Sequence, residues 1–189
     1  MARLFIALDL PGAVVEALVA WRAPLLARAA ELRAVAPEAL HVTLCFLGER
    51  PPESIAPLGE VVAAVAGPAG GLALGAALWL PQRRPRVLAV ALEDRHGELA
   101  AMQERLMAAL ARDGLHAADG EQPPRPYLPH VTVARVRGQV ERDRGARRRP
   151  HAPDPPPALA FDGVALTLYR SHSEPSGSRY EAQSRVTLA

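Results

Sequence analysis

The chain reads as an α+β protein, with antiparallel sheets and helices on their outer faces. Strand-like and helix-like segments alternate in mixed order along all 189 residues. The stretch Leu40–Gly48 (LHVTLCFLG) is echoed by Pro129–Gly138 (PHVTVARVRG). That spacing is too wide for a solenoid repeat and natural for two halves of a duplicated α+β domain. The length suits one domain with a full core, or two small intertwined lobes.

Arg3–Leu10 is a buried strand. Pro11 suits a first helical turn, and Val14, Leu18, Trp21, Leu25 and Ala29 recur at helical spacing through Gly12–Glu31, with a kink or break at Pro24. A turn leads to a second strand, Leu40–Leu47, ended by Gly48. Pro51–Ser54 opens a second helix running to about Ala66. Strands Leu72–Leu80 and Arg86–Leu92 flank a basic turn. Leu99, Met102, Leu106 and Leu110 line one face of a third helix, Gly97–Arg112, and Gly114 stops it. A loop over Asp119–Pro126 precedes strand His130–Val136. Gly138–Pro157, rich in Arg and Pro, reads as a surface insertion. Strands Ala160–Ser171 and Tyr180–Leu188 flank the turn Glu174–Gly177.

Hydrophobic residues make up 49% and aromatics 4%, so the core must be built from Ala, Val and Leu. No apolar run reaches the roughly 18 residues that span a bilayer. Asp9 and Pro11 cut short the apolar start, so a soluble cytoplasmic protein is expected. Cys45 is the one cysteine, which excludes an internal disulfide. The net charge of +2 is too mild to argue nucleic-acid binding by itself. All 22 basic residues are arginine, however, and guanidinium groups grip phosphate in a bidentate fork.

The chemistry is carried by the two His-x-Thr strands. Side chains alternate along a strand, so His41 and Thr43 share one face while Val42, Leu44 and Phe46 point into the core. His130 and Thr132 likewise share a face, with Val131 and Val133 behind. Alternation also aligns Cys45 with His41 and Thr43, although nothing marks it as a nucleophile. Side by side, the two strands would bring two imidazoles and two hydroxyls together. One neutral histidine can take a proton from an attacking water while a protonated one gives a proton to the leaving oxygen. A reference pKa near 6.5 lets both forms exist near neutral pH. The threonines would hold the non-bridging oxygens. A lone His-x-Thr strand usually means nothing; the repeat gives it weight. His96, His116, His151 and His172 fall near turns or loops, and no Cys or HExxH pattern supports zinc.

At these residues the sequence resembles the two-histidine phosphoesterases, specifically the RNA 2',3'-cyclic phosphodiesterases, also called LigT-type 2'-5' RNA ligases. The resemblance extends over Arg3–Leu8, Pro37–Gly48, Pro85–Leu88, Pro129–Arg135, Leu168–Ser171 and Tyr180–Glu181. It implies a bilobal, pseudo-two-fold-symmetric fold, with two antiparallel sheets lining a central cleft and residues 1–189 forming a single domain of two intertwined lobes. It implies metal-independent hydrolysis of 2',3'-cyclic phosphate RNA ends to a 2'-phosphomonoester, reversible as 2'-5' ligation. No cofactor is expected, and the protein is expected to be a monomer. His41 is then the proton donor and His130 the acceptor, with Thr43 and Thr132 binding phosphate. Ala34–Ala36 lacks the aromatic residue that often precedes the first motif in this family. Two other functions fit the same pocket: an RNA-end binding module with little turnover, and a sister phosphodiesterase acting on another small cyclic phosphate.

Other residues are balanced between roles. Arg135 could bind phosphate, but strict alternation puts it on the opposite face from His130, so it reaches the site only past a bulge or the strand end. Tyr127 could stack on a base or simply pack. Tyr169 and Arg170 could flank the cleft. Arg147–Arg149 reads as a solvated charge run that could also attract RNA.

Overall fold

The computed structural model describes residues 1–115, 126–137, 154–174 and 177–188. Its strands are β1 (Ala2–Asp9), β2 (Leu32–Ala34), β3 (His41–Arg50), β4 (Leu72–Leu80), β5 (Val87–Asp94), β6 (His130–Val136), β7 (Ala160–Phe161), β8 (Ala165–Glu174) and β9 (Gly177–Thr187). The helices are α1 (Gly12–Arg28), α2 (Ile55–Val65) and α3 (Glu98–Arg112). Most of the loop expected over Asp119–Pro126, most of the insertion Gly138–Pro157 with Arg147–Arg149, the tip of the turn Glu174–Gly177, His116 and His151 lie outside the described residues.

The two antiparallel sheets expected from the sequence are present as β7-β4-β5-β6 and β3-β1-β8-β9. They join where Val42 of β3 pairs with Val131 of β6, which makes one continuous nine-stranded sheet, counting β2 beside β6. The order is palindromic about that join. On one side β1 leads through α1 to its antiparallel partner β3; on the other β5 leads through α3 to its partner β6. The echo in the sequence is therefore a pseudo-two-fold in space, with its axis between Val42 and Val131.

One face of the sheet carries the core. Leu4, Ile6 and Leu8 of β1, Val42 and Leu44 of β3, Val131 and Val133 of β6, and Leu166 and Leu168 of β8 are all buried there. Against them pack Val14 and Leu18 of α1, Leu58 and Val62 of α2, and Leu99, Met102, Leu106 and Leu110 of α3. Each such side chain taken wholly out of water contributes about 1.5–3 kcal/mol. With the helices on this face, the other is left open for chemistry.

Several boundaries differ from expectation. The strand expected over Ala160–Ser171 is two, because Ala160–Phe161 pairs with β4 while Ala165–Glu174 pairs with β1 and β9, and β9 begins at Gly177 rather than Tyr180. Helix α1 ends at Arg28 rather than Glu31 and continues through Pro24. Strand β3 does not stop at Gly48 but runs to Arg50. Gly48 has φ +71°, and the pairing with β1 slips between Leu4–Gly48 and Phe5–Phe46. The glycine thus supplies the left-handed backbone that a bulge needs, instead of a terminus.

Candidate active site

A bulge follows each His-x-Thr motif, at the same offset. In β3, Thr43 pairs with Ala7 and Cys45 with Ile6, so Leu44 is the extra residue. In β6, Thr132 pairs with Ala89 and Ala134 with Leu88, so Val133 is the extra residue. Each insertion reverses the alternation beyond it. Phe46 therefore faces the cleft, 68% exposed, whereas Cys45 is buried in the core. Strict alternation predicts the opposite for both, and the bulge is the reason. The same reversal turns Arg135 onto the face of His130 and Thr132, where it lines the cleft. Phe46 and Arg135 thus occupy equivalent places about the pseudo-two-fold.

The β6 bulge is held from behind. Arg22 of α1, only 4% exposed, donates from Nη1 to the Val133 carbonyl at 2.6 Å, and the Val35 amide donates to the same oxygen at 3.1 Å. Burial lowers the Arg22 pKa.

The histidines are anchored alike. His41 Nδ1 lies 2.8 Å from the Ala39 carbonyl, and His130 Nδ1 lies 2.8 Å from the Leu128 carbonyl. A carbonyl only accepts, so each Nδ1 carries the hydrogen and each Nε2 is left for the cleft. His41 Nε2 meets Thr43 Oγ1 at 3.0 Å.

Their surroundings differ. The β1–β3 register puts Asp9 beside His41 and Phe5 beside Phe46; the equivalent β5 positions are Ala91 and Val87. Phe5 lies 4.9 Å from the His41 ring, centre to centre, and Tyr180 meets that ring edge-on at 5.3 Å. This aromatic wall desolvates His41 and pushes its pKa down to about 4. The hydrogen bond to Ala39 and the charge of Asp9 oppose that fall, while Arg135 and His130 add to it. His41 is accordingly neutral at pH 7.

Asp9 is itself tied down. Its carboxylate accepts from Thr167 Oγ1 at 3.0 Å, Tyr169 Oη at 2.8 Å and Arg185 Nε at 3.0 Å. Burial, then the bond to Asp9, raises the Tyr169 pKa. Tyr169 also stacks on Phe5 at 5.3 Å, which ties this network to the wall behind His41.

A cleft of about 430 Å³ collects His41, Thr43, His130, Thr132 and Arg135 on one floor. Tyr127 is not among its lining residues: its hydroxyl donates to the Thr43 carbonyl at 3.3 Å, so it braces β3 rather than offering a stacking surface. Arg3, Arg33, Phe5, Phe46 and Tyr180 also line the cleft, a place the sequence assigns to none of them. Phe46 lay within the first motif and was hidden by the assumption of alternation. Among the described residues, no group of three or more His, Cys, Asp or Glu side chains gathers as a metal site. No helix among them is long and apolar enough to cross a membrane.

Related proteins share this fold and part of this sequence. Residues 8–89 match the LigT-like phosphoesterase family. The RNA 2',3'-cyclic phosphodiesterase of Escherichia coli K12 is 30% identical over 189 residues, spanning 98% of this chain and 96% of that protein. The chain belongs to the LigT-like phosphoesterase family. A second relative, the RNA 2',3'-cyclic phosphodiesterase of Thermus thermophilus, is 32% identical, covering 82% of this chain and 74% of its own. The crystal structure of E. coli LigT complexed with 3'-AMP superposes with a TM-score of 0.73 at 28% identity, over 100% of this chain and 98% of that one. The family match over 8–89 contains only the first motif; the full-length relatives and the pseudo-two-fold carry the LigT-like assignment through the second.

Proposed function

We propose that this protein is a metal-independent RNA 2',3'-cyclic phosphodiesterase in which His41 and His130 work as an acid–base pair. The observation that carries this reading is the convergence of the two motifs on one cleft floor, each Nδ1 anchored to a carbonyl and each Nε2 turned to the substrate side. The names of the E. coli and T. thermophilus relatives support the cyclic substrate, and the 3'-AMP complex of LigT supports a nucleotide as ligand.

In the reaction, a water oxygen bonds to phosphorus as the bond from phosphorus to the 3' oxygen breaks, leaving a 2'-phosphomonoester. His130 takes the proton from water and His41 gives one to the departing 3' oxygen. His41 is neutral at rest and acquires its proton as substrate binds, because the anionic phosphate offsets the positive charge of Arg135 that helps hold its pKa down. Thr43 gives up its contact with His41 and, with Thr132, donates to the non-bridging oxygens. Arg135, aimed by the bulge, neutralises the phosphorane charge. A 5'-hydroxyl of a second RNA in place of water yields a 2'-5' linkage by the same proton transfers. Residues 1–189 act as a single domain, its two halves interlocked about the pseudo-two-fold, and the cytoplasm is the expected compartment.

The test is hydrolysis of a nucleoside 2',3'-cyclic phosphate by the wild type and by His41→Ala and His130→Ala. Each substitution should lower kcat by about 10²–10⁴-fold with folding intact. Activity should survive EDTA, and phosphorus NMR should show the 2' product. Full activity in either variant, or loss in EDTA, defeats the mechanism.

A further inference from the structure

We propose that Arg33, with Ser173 and Ser178 facing it, forms a second phosphate subsite that takes the phosphodiester on the 5' side of the terminal nucleotide. This rests on the cyclic phosphodiesterase reading and narrows its substrate class to oligonucleotide ends.

Arg33 on β2 pairs directly with Arg135 on β6. Opposed residues of paired strands share a face, so two guanidinium groups leave the sheet about 4.8 Å apart at their roots. Like charges set opposite each other destabilise a sheet. Neither arginine is in an ion pair with a carboxylate among the described residues, and no Asp or Glu lines the cleft. The nearby carboxylate, Asp9, is already occupied by Arg185, Tyr169 and Thr167. Among the described residues the pair is therefore short of negative charge, and the cleft is where an anion can supply it.

One phosphate does not satisfy both. The scissile group belongs between the two His-x-Thr motifs, at the Val42–Val131 join, where Arg135 reaches it from the same strand as His130. Arg33 stands on the same edge of β6 as β3, further along that edge from the join. Its guanidinium extends toward the β8–β9 hairpin, 3.8–3.9 Å from where a Cβ on Gly177 would stand. Only a hydrogen occupies that position, and φ +143° suits glycine there. Ser173 and Ser178, paired across the hairpin, line the same end of the cleft and supply hydroxyl donors. A fork of guanidinium donors with two hydroxyls is suited to a phosphodiester. A cyclic mononucleotide carries no second phosphate to put there; the end of an RNA chain does.

The experiment compares kcat/KM for three substrates: a dinucleotide ending in a 2',3'-cyclic phosphate, the same dinucleotide with an uncharged methylphosphonate linkage, and a nucleoside 2',3'-cyclic phosphate. The wild type should favour the charged linkage over the uncharged one by about tenfold or more, the worth of a charge-assisted contact. In Arg33→Gln that ratio should fall to near one, while Arg95→Gln, away from the cleft, should keep it. The ratio is internal to each variant, so a partly folded preparation does not mimic the effect. Equal turnover of both dinucleotides by the wild type, or an undiminished ratio in Arg33→Gln, overturns the subsite and leaves the phosphodiesterase reading standing. No turnover of any substrate overturns both.

Discussion

Acid should destabilise this protein through His41, by an amount the structure sets. The folded pKa is about 4, against 6.5 for a free imidazole. Above pH 6.5 neither state holds the proton, and the group has no effect on stability. Between 6.5 and 4 the unfolded chain binds the proton and the folded one does not, so stability falls as pH falls. Below 4 both are protonated and the loss is complete. The difference in proton affinity amounts to about 3 kcal/mol, a large part of the stability of a domain this size. The perturbation is His41→Asn, which removes the titrating ring and keeps a polar group near the Ala39 carbonyl. Urea unfolding of both proteins at steps from pH 7.5 to 4 gives the difference in stability at each pH. Carboxylate protonation is common to both and cancels. The wild type should lose about 3 kcal/mol relative to the variant across that window. A difference that stays flat would show that Phe5 and Tyr180 do not desolvate the ring, and the cause assigned to its low pKa would be wrong.

Three further outcomes follow from the same geometry. Arg135→Gln removes a positive charge that depresses His41, so the His41 imidazole pKa read by NMR should rise, and adding inorganic phosphate to the wild type should move it the same way. Phe46→Ala should leave stability nearly unchanged, since the ring is exposed, but raise KM for a nucleotide substrate about tenfold if a base stacks on it, with kcat little altered. Gly163→Ala places a Cβ 2.6 Å from Cδ1 of the fully buried Leu8, so thermal or urea unfolding should show a loss of about 1–3 kcal/mol without a change in KM.

The two histidines and their threonines were legible because strand alternation is a local rule and the motif occurs twice. What followed each motif was not legible, since a bulge is set by pairing with a distant strand. Leu44 and Val133 look like ordinary core residues in the sequence, yet they decide that Phe46 and Arg135 face the cleft and Cys45 does not. The partners of Asp9 lie at Thr167, Tyr169 and Arg185, more than 150 residues away, and no local pattern announces them. Arg33 escaped notice for a similar reason: β2 is three residues long and exists only because β6 is there to pair with it.

The join between β3 and β6 has a mechanical consequence. Elsewhere in the central sheet, neighbours such as β1–β3 and β5–β6 are laced along several residues, whereas here Val42 and Val131 meet as a lone pair. So sparse a seam is expected to yield more readily than the ladders on either side of it. The two imidazoles stand on opposite banks of it. A slight twist along the seam would change the distance between them and leave the ladders behind in register. In the reaction proposed above, the entering oxygen closes on phosphorus as the leaving one departs, and a seam of this kind would let each imidazole follow its own oxygen.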